Sequence, residues 1–235
     1  MVTQVTHDGD YTAARTEAAK LNQATQEAER LLAEIEALPR PNTPSLRQLR
    51  KAASKRLRNA TPSTVLAVAN ALIDNSRRWL AYELIHHHPA TLTSLGLTEV
   101  EALGAGMASW SEVDTFCAYV AGPCWAKRQI DNSAILSWSQ RNDRWWRRAA
   151  LVATTALNVR TRGGTGDAHR TLMTAERLVA DRDDMVVKAL SWALRELIYW
   201  DPTAVAEFLE QHDQALAPRV KREVRNKLET GLKNP

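Results

Sequence analysis

Helix-length segments with an amphipathic pattern recur along almost the whole chain, and short breaks separate them. After a long first segment that ends at PRPNTP, most segments span roughly 12 to 18 residues. Glycine and proline number only nine each, and strand-like alternation of Val, Ile, Thr and aromatic residues is missing. Paired helices of this length, joined by short turns, are typical of an α-solenoid of HEAT type. We therefore predict an all-α fold of HEAT-like helical repeats, although no strict sequence period is visible.

Charge is distributed unevenly along the chain, although the net charge is only +4. Residues 1–40 contain seven acids and four bases, residues 44–58 contain six bases and no acid, and residues 141–162 contain six arginines and one aspartate. Separated basic segments that line one surface favour a phosphate backbone as partner, whereas a solvated face explains any single segment. We predict one domain over residues 1–235, with an acidic N-terminal helix over 1–40 and a basic repeat body over 44–235.

Metal, disulfide and membrane chemistry find little support in the sequence. Cys117 and Cys124 are the only cysteines, too few for a disulfide framework or a four-ligand zinc site, so we expect reduced core thiols. The histidines at 86–88 precede Pro89 and favour a helix C-terminus over a metal site. No apolar stretch reaches the roughly 18 residues of a membrane span, and no secretion signal is visible. We expect a cytoplasmic protein without membrane contact, metal or cofactor.

Aromatic residues and glycines occur close to the second group of arginines. Trp145 and Trp146 are adjacent, so in a helix one faces a neighbouring helix and the other is free to approach a ligand. Most tryptophans, including Trp79 and Trp200, are expected in the core. The glycines in RTRGGTGD, residues 160–167, predict a loop between repeats. A phosphate cradle is not expected there, because no strand precedes the glycines and no Gly-Lys-Ser/Thr follows.

Lys188, Trp192 and Arg195 lie at positions i, i+4 and i+7, on one face of a predicted helix. This stripe has two interpretations. A core tryptophan with two snorkelling cations is one of them. The other is an aromatic residue that faces nucleic acid between two phosphate contacts.

The stretch SWSEVD, residues 109–114, combines a helix start with a candidate site. Ser109 with Glu112, and Ser111 with Asp114, each have the spacing of a helix cap. Trp110 and Asp114 are four residues apart, so they share one helical face. We expect Asp114 in the first helical turn, where the helix dipole favours the ionised carboxylate. These residues alone leave both a cap and a site open.

Several motifs follow one another in an order that is typical of one family: SWSEVD, NDRWWRRAAL, VVKALSWALRE, WDP and APRVKREV. From about Trp79 to the C-terminus, and more loosely from residue 45, the chain resembles the AlkD-type bacterial alkylpurine DNA glycosylases. The resemblance implies a HEAT-like fold whose concave basic face holds duplex DNA. It also implies that Asp114, Trp110 and Trp192 are catalytic residues, with Arg148 nearby.

The activity that the resemblance implies is that of a monofunctional DNA glycosylase in base excision repair. Such an enzyme hydrolyses the N-glycosidic bond of N3- or N7-alkylated purines in duplex DNA without base flipping. The expected partner is double-stranded DNA containing alkylated purines, bound by a monomer in the bacterial cytoplasm, at the nucleoid. A non-catalytic HEAT-like DNA-binding or scaffold protein is the alternative. The residues expected to contact DNA are Arg148, Lys188, Arg147, Arg144, Arg195, Arg47, Lys51, Lys221 and Arg222.

One segment departs from the family pattern. Residues 37–46, ALPRPNTPSL, contain no aromatic residue, whereas family members commonly carry an aromatic segment there, near the damaged nucleotide. A less aromatic wall leaves more space beside the lesion. We therefore expect that bulky minor-groove adducts are accepted as well as methylated purines.

Overall fold

The computed structural model describes the backbone of residues 8–235 and the side chains from residue 22 onward. Residues 1–7, part of the predicted acidic segment, lie outside the described residues. All regular structure in the described chain is helical, which confirms the predicted all-α fold of helical repeats. Among the described helices, none has both the length and the apolar composition to cross a membrane. The chain divides into two compact units, residues 1–94 and 95–235; the single domain stays a prediction.

The described residues of the N-terminal unit form five helices, in which α3 packs against both α1 and α4. Asn42 begins α2 with a capping box, because its side chain accepts a hydrogen bond from the Ser45 amide at 2.9 Å. Ser45 is therefore the third residue of the helix. The helices are α1 (Asp8–Glu36), α2 (Thr43–Arg56), α3 (Pro62–Asp74), α4 (Arg78–His86) and α5 (Pro89–Ser94).

Part of the basic segment 44–58 is neutralised inside this unit. Arg56 of α2 pairs with Glu27 of α1 at 2.6 Å and with Glu34 at 3.4 Å. Arg50 is buried and donates to Glu83 of α4, which is also buried, at 3.2 Å. The acidic and basic segments of the sequence therefore partly serve to join α1, α2 and α4, and only the remaining bases are available to a partner.

The C-terminal unit is built from two layers of helices. In the first layer, α7, α10, α13 and α15 pack against one another in that order. The second layer contains α9, α12 and α14, each of which packs against the first-layer helix that follows it. A π-helical stretch, Cys117–Ala121, joins α7 to α8. The helices are α6 (Leu97–Gly104), α7 (Trp110–Phe116), α8 (Gly122–Ala126), α9 (Asn132–Ser139), α10 (Arg144–Ala153), α11 (Thr155–Asn158), α12 (Ala168–Glu176), α13 (Asp184–Leu197), α14 (Pro202–Gln211) and α15 (Pro218–Thr230).

An aromatic cluster holds α7, α9 and α10 together. Trp146 is buried, with its ring centroid 6.1 Å from that of Phe116 and 5.0 Å from that of Trp138. Gly104 lets these rings come close, because a Cβ atom there would lie 2.7 Å from the Trp146 ring. The neighbouring Trp145 is partly exposed and carries the Arg144 guanidinium 4.9 Å above its ring. The two adjacent tryptophans thus face different surroundings, as predicted.

Two tryptophans differ from the expectation that they lie in the core. Trp79 is only partly buried, and Trp200 keeps 37% of its surface exposed. Trp200 follows the end of α13, and its indole nitrogen donates to the Asn158 carbonyl at 2.7 Å. The ring therefore covers the start of the loop after α11 and does not enter the core. The two cysteines are free and buried, as expected.

Candidate active site

Helix α7 begins with a complete cap that does not use the carboxylate of Asp114. The Ser109 hydroxyl accepts a hydrogen bond from the Glu112 amide at 3.3 Å, and the Glu112 carboxylate accepts one from the Ala108 amide at 2.7 Å. Asp114 is the fifth residue of the helix and lies in its second turn. The prediction of a first-turn position is therefore wrong, and the helix dipole is not what favours its ionised form. The Ser109 cap and a role for Asp114 are compatible.

Asp114 is held by a two-pronged ion pair with Arg148 of α10. Its Oδ1 atom accepts from Nε of Arg148 at 3.0 Å and from Nη2 at 2.8 Å, and its Oδ2 atom accepts from Nη2 at 3.0 Å. The remaining guanidinium nitrogen, Nη1, donates to the Met185 carbonyl of α13 at 2.6 Å. Arg148 thereby links three first-layer helices, α7, α10 and α13, at one point.

The buried position of Arg148 does not fit the expectation that it contacts DNA. Its side chain is 6% exposed, whereas that of Asp114 is 20% exposed. A guanidinium that is buried and already bound to a carboxylate and a carbonyl has no free donor edge for a phosphate. The arginine therefore orients the carboxylate of Asp114, and the carboxylate is the member of the pair that reaches the surface.

The surroundings of Asp114 act on its pKa in opposite directions. Burial raises the pKa above its ordinary value, while Arg148 and Arg162 lower it, and burial has the larger effect. Cys117, one turn further along, is fully buried, which raises the pKa of its thiol, and the thiol donates to the Ala149 carbonyl at 3.4 Å. Next to Asp114 the chain thus provides a neutral thiol and one oriented carboxylate.

Trp110 lies at the first position of α7, one turn before Asp114 on the same helical face. More than half of its surface, 56%, is exposed. An indole that projects this far from a helix gains nothing from core packing. It offers a flat π surface to a partner beside the carboxylate.

The stripe on α13 forms the partly exposed face of that helix. Lys188 pairs with Asp184 at 2.6 Å, and Nε of Arg195 donates to the Ser191 hydroxyl at 3.2 Å. Trp192 lies between these two cations, about two turns beyond Met185, and its indole nitrogen donates to Glu196 at 2.9 Å. The indole is neither fully buried nor in hydrogen-bond contact with Asp114. The two tryptophans thus lie on separate first-layer helices that Arg148 connects.

Two further arginines expected to contact DNA, Arg144 and Arg147 of α10, have carboxylate partners. Arg144, about half exposed, lies 3.4 Å from Asp183, and this loose pair leaves much of its guanidinium open. Arg147 is 20% exposed and donates to Asp181 at 2.8 Å and to the carbonyls of residues 141 and 142. These bonds make Arg147 a structural residue of the turn before α10, and a phosphate would have to displace Asp181 to reach it.

Two of the expected contacts lie on α15, in the first layer. Lys221 donates to the carbonyl and the carboxylate of Asp213, at 3.1 and 3.2 Å, whereas Arg222 is exposed. Arg47 and Lys51 lie on α2 of the N-terminal unit, and both are exposed. Arg47 is 3.6 Å from Glu83. The cations expected to contact DNA therefore differ in availability. Some are exposed, whereas others are already held by a carboxylate.

Sequence reasoning missed Arg162, which lies in the loop after α11. The sequence places it among the six arginines of residues 141–162 but predicts the glycine-rich stretch around it only as a loop between repeats. In the structure, residues 160–162 form one turn of 3-10 helix and residues 163–167 form a loop, and together they connect α11 to α12. Arg162 nevertheless lies close enough to Asp114 to lower the pKa of that carboxyl. No pattern in the sequence pairs these two residues, because the proximity arises from the packing of α11.

Comparison with known proteins identifies the family of this chain. A family described as DNA alkylation repair enzyme matches residues 40–228, which include every candidate site residue described above. No curated protein is similar enough to this chain to be counted as a relative. The matched region covers most of the chain and both units. The chain therefore belongs to the family of DNA alkylation repair enzymes.

Proposed function

We propose that this protein is a monofunctional DNA glycosylase that releases N3- or N7-alkylated purines from duplex DNA by hydrolysis. Membership of the family makes DNA the partner and alkylation repair the function. The observation that carries the finer proposal is the carboxylate of Asp114, oriented by a buried arginine beside an exposed indole. A partly exposed carboxylate that a buried arginine holds in place is expected where positive charge develops during a reaction.

The chemistry of the lesion fits a site of this kind. A purine alkylated at N3 or N7 carries a positive charge and is a good leaving group, so the reaction needs little help from a general acid. As the glycosidic bond breaks, the sugar acquires oxocarbenium character. A carboxylate beside it stabilises that charge and can align or deprotonate the attacking water. Asp114 is the residue that we propose for these roles.

The hydrogen bonds of Asp114 leave part of its carboxylate available for these roles. Arg148 makes two bonds to Oδ1 but only one to Oδ2. The remaining lone pair of Oδ2 is available to a water molecule or to the sugar. The ion pair also fixes the plane of the carboxylate, so that its orientation is set before DNA binds. Arg148 is in this proposal a positioning residue.

DNA binding is proposed to involve partly exposed cations on α13 and exposed cations on α2. Lys188 and Arg195 flank Trp192 on α13, while Arg47 and Lys51 belong to the N-terminal unit. Side chains that reach the surface can exchange a weak ion pair or hydrogen bond for a phosphate at little cost. Trp110 and Trp192 are proposed to pack against the cationic nucleotide or its sugar without enclosing the base.

The proposal is tested by incubating the protein with duplex DNA that carries 7-methylguanine or 3-methyladenine. We expect free alkylated base in solution and an equal number of alkali-labile abasic sites in the DNA. No strand cleavage is expected without alkali, because among the side chains that the structure describes no lysine contacts Asp114 and could act as a Schiff-base nucleophile there. Salt-dependent binding without any base release would instead support the alternative of a non-catalytic DNA-binding protein.

Replacement of the exposed Trp110 by alanine is expected to lower the rate of base release without lowering stability. Trp110→Ala removes a π surface that contacts little of the protein, so the melting temperature is expected to stay within about one degree of wild type. The single-turnover rate of base release should fall about 3- to 30-fold, the value of one to two cation–π contacts. A matched control is Leu232→Ala, which removes another large apolar side chain that is exposed to a similar degree. An unchanged rate for Trp110→Ala would remove this residue from the proposed site.

The resemblance also leads to a prediction about lesion size. With no aromatic residue in 37–46, we expect release of a bulky N3-adenine adduct at least as fast as release of 3-methyladenine. Pro41→Trp should slow the bulky reaction more than the small one. The nearby Asn42 is unsuitable for this test, because its replacement would remove the cap of α2. Single-turnover rates on matched oligonucleotides decide the question, and release of the small base alone would refute the open-wall idea.

A further inference from the structure

The six arginines of residues 141–162 differ in the hydrogen-bond and ion-pair partners of their side chains. Four of the six pair with carboxylates, and Arg160 donates to the Tyr199 hydroxyl at 2.6 Å with its guanidinium 4.6 Å above the ring. Arg162 is the exception, because it makes no hydrogen bond or ion pair with the side chains that the structure describes. The four paired with carboxylates are Arg141, Arg144, Arg147 and Arg148.

The loop that carries Arg162 is fixed in place. Trp200 lies against it, since the indole nitrogen donates to the Asn158 carbonyl and a Cβ atom at Gly166 would lie 2.7 Å from the indole ring. Gly166 also has φ near +87°, which few residues with a side chain adopt. Asn158 itself accepts a hydrogen bond from the Asp167 amide at 3.0 Å. The cation of Arg162 therefore projects from a supported turn.

Most backbone amides of this loop are already bound to carbonyls and are not available to an anion. The amides of Arg162, Gly163 and Gly164 donate to carbonyls of the same loop, at 2.9, 3.0 and 3.1 Å. A phosphate cradle needs free amides that converge on one point. Any anion that binds here must consequently be held by a side chain. The nearby carboxylate of Asp167 does not compete, because Arg170 occupies it at 2.6 Å.

The packing of α11 brings this loop towards the candidate active site. Helix α11 contacts the π-helical stretch that follows Asp114 and the helix α8 beyond it. Gly122 permits this approach, because a Cβ atom there would meet Ala156 at 2.6 Å. The influence of Arg162 on the pKa of both Asp114 and Cys117 agrees with this placement.

We propose that the loop of residues 160–164 binds a backbone phosphate of the damaged DNA through Arg162, next to the nucleotide whose base is released at Asp114. The unpaired guanidinium, the supported turn and the packing of α11 carry this inference. The proposal rests on the proposed glycosylase function, of which it names a binding residue.

The experiment measures DNA affinity of the full chain over a series of potassium chloride concentrations. Each phosphate contact contributes about −0.9 to the slope of log K against log salt on duplex DNA. Arg162→Gln is expected to reduce the steepness of the slope by about 0.9 on undamaged duplex, and Arg162→Lys to restore most of it. Arg177→Gln is the matched control. Arg177 is an exposed arginine at the end of α12, in the second layer, and its replacement changes the net charge equally.

The outcomes separate this inference from the proposed function. An unchanged slope for Arg162→Gln, or an equal change for Arg177→Gln, overturns the phosphate contact while base release by the wild type still supports the glycosylase. A wild type that shows neither salt-dependent binding nor base release overturns both. Equal melting temperatures for the variants and the wild type, expected because Arg162 is exposed, ensure that a change in slope reflects binding.

Discussion

Asp114→Asn will release alkylated purine at least about 100-fold more slowly than the wild type in single-turnover assays. The amide has nearly the shape of the carboxylate but lacks the negative charge that we propose to stabilise the developing oxocarbenium sugar. DNA affinity should change little, because the variant keeps all the exposed cations. The rate is measured on duplex DNA with one 7-methylguanine, and the affinity on undamaged duplex of the same sequence.

A control removes a carboxylate from the same layer whose ion pairs involve neither Arg148 nor Asp114. Asp184 on α13 pairs with Lys188 and Arg219 and is largely exposed. Asp184→Asn is expected to release base at nearly the wild-type rate. The stability of Asp114→Asn is measured in parallel, since weakening a half-buried ion pair costs about 1 to 3 kcal/mol. A folded Asp114→Asn protein with wild-type activity would refute the role that we assign to Asp114.

Arg148→Lys will have the largest effect on stability. An ammonium cannot make the two parallel bonds to Asp114 and also reach the Met185 carbonyl, so the junction of α7, α10 and α13 loses most of its hydrogen bonds. We expect the free energy of unfolding at neutral pH to fall by about 2 to 4 kcal/mol, measured by urea denaturation. The matched control is Arg147→Lys at the neighbouring position, whose guanidinium is more exposed and pairs with Asp181. It should cost clearly less.

The same variant should change the dependence on pH. In the wild type, burial already raises the pKa of Asp114 above its ordinary value, against the opposing effect of Arg148. Weakening that partner raises the pKa further. Base release requires the carboxylate, so its rate falls as the pH falls through this pKa, and the fall should begin at higher pH in Arg148→Lys. Identical profiles in the two proteins would show that Arg148 does not act through Asp114.

Stability responds to the same shift with the opposite sign. An acid whose pKa is raised on folding binds its proton more tightly in the folded state. Its favourable contribution is therefore complete below the ordinary pKa and is lost as the pH rises through the folded pKa. For this reason the stability deficit of Arg148→Lys relative to wild type should shrink as the pH is lowered through that range. Urea denaturation at several pH values measures this difference.

Most of the helical architecture could be predicted from the sequence, because it depends on local signals. The amphipathic period, the prolines and the polar caps act within a few residues, and they predicted the helix start at Ser109 and a helix through residues 188–195. The relation of Trp110 to Asp114 is local in the same sense, since four residues along a helix place two side chains on one face. An error occurred where two local signals competed, because the Ser111–Asp114 spacing suggested a first-turn position for Asp114.

The pairing of charged residues could not be predicted as well from the sequence, because composition does not show which charged side chains meet. The acids of α1 and the bases of α2 form separate blocks along the chain, yet Arg56 meets Glu27 once the helices pack. Arg148 belonged to a block of six arginines that suggested a phosphate-binding surface, and the fold buries it against Asp114. Ion pairs between residues far apart in sequence depend on helix packing, which no local pattern encodes.

The sequence by itself determined an all-α repeat protein, its family and a short set of candidate residues, because helix periodicity and ordered motifs are properties of the chain alone. Only the tertiary structure decided which of those residues meet. It joined Asp114 to Arg148, left Trp110 exposed, tied Arg147 to Asp181 and brought the loop of Arg162 towards the carboxylate. The physical reason is that burial and pairing are set by the contacts between helices, and these contacts join residues more than 30 positions apart.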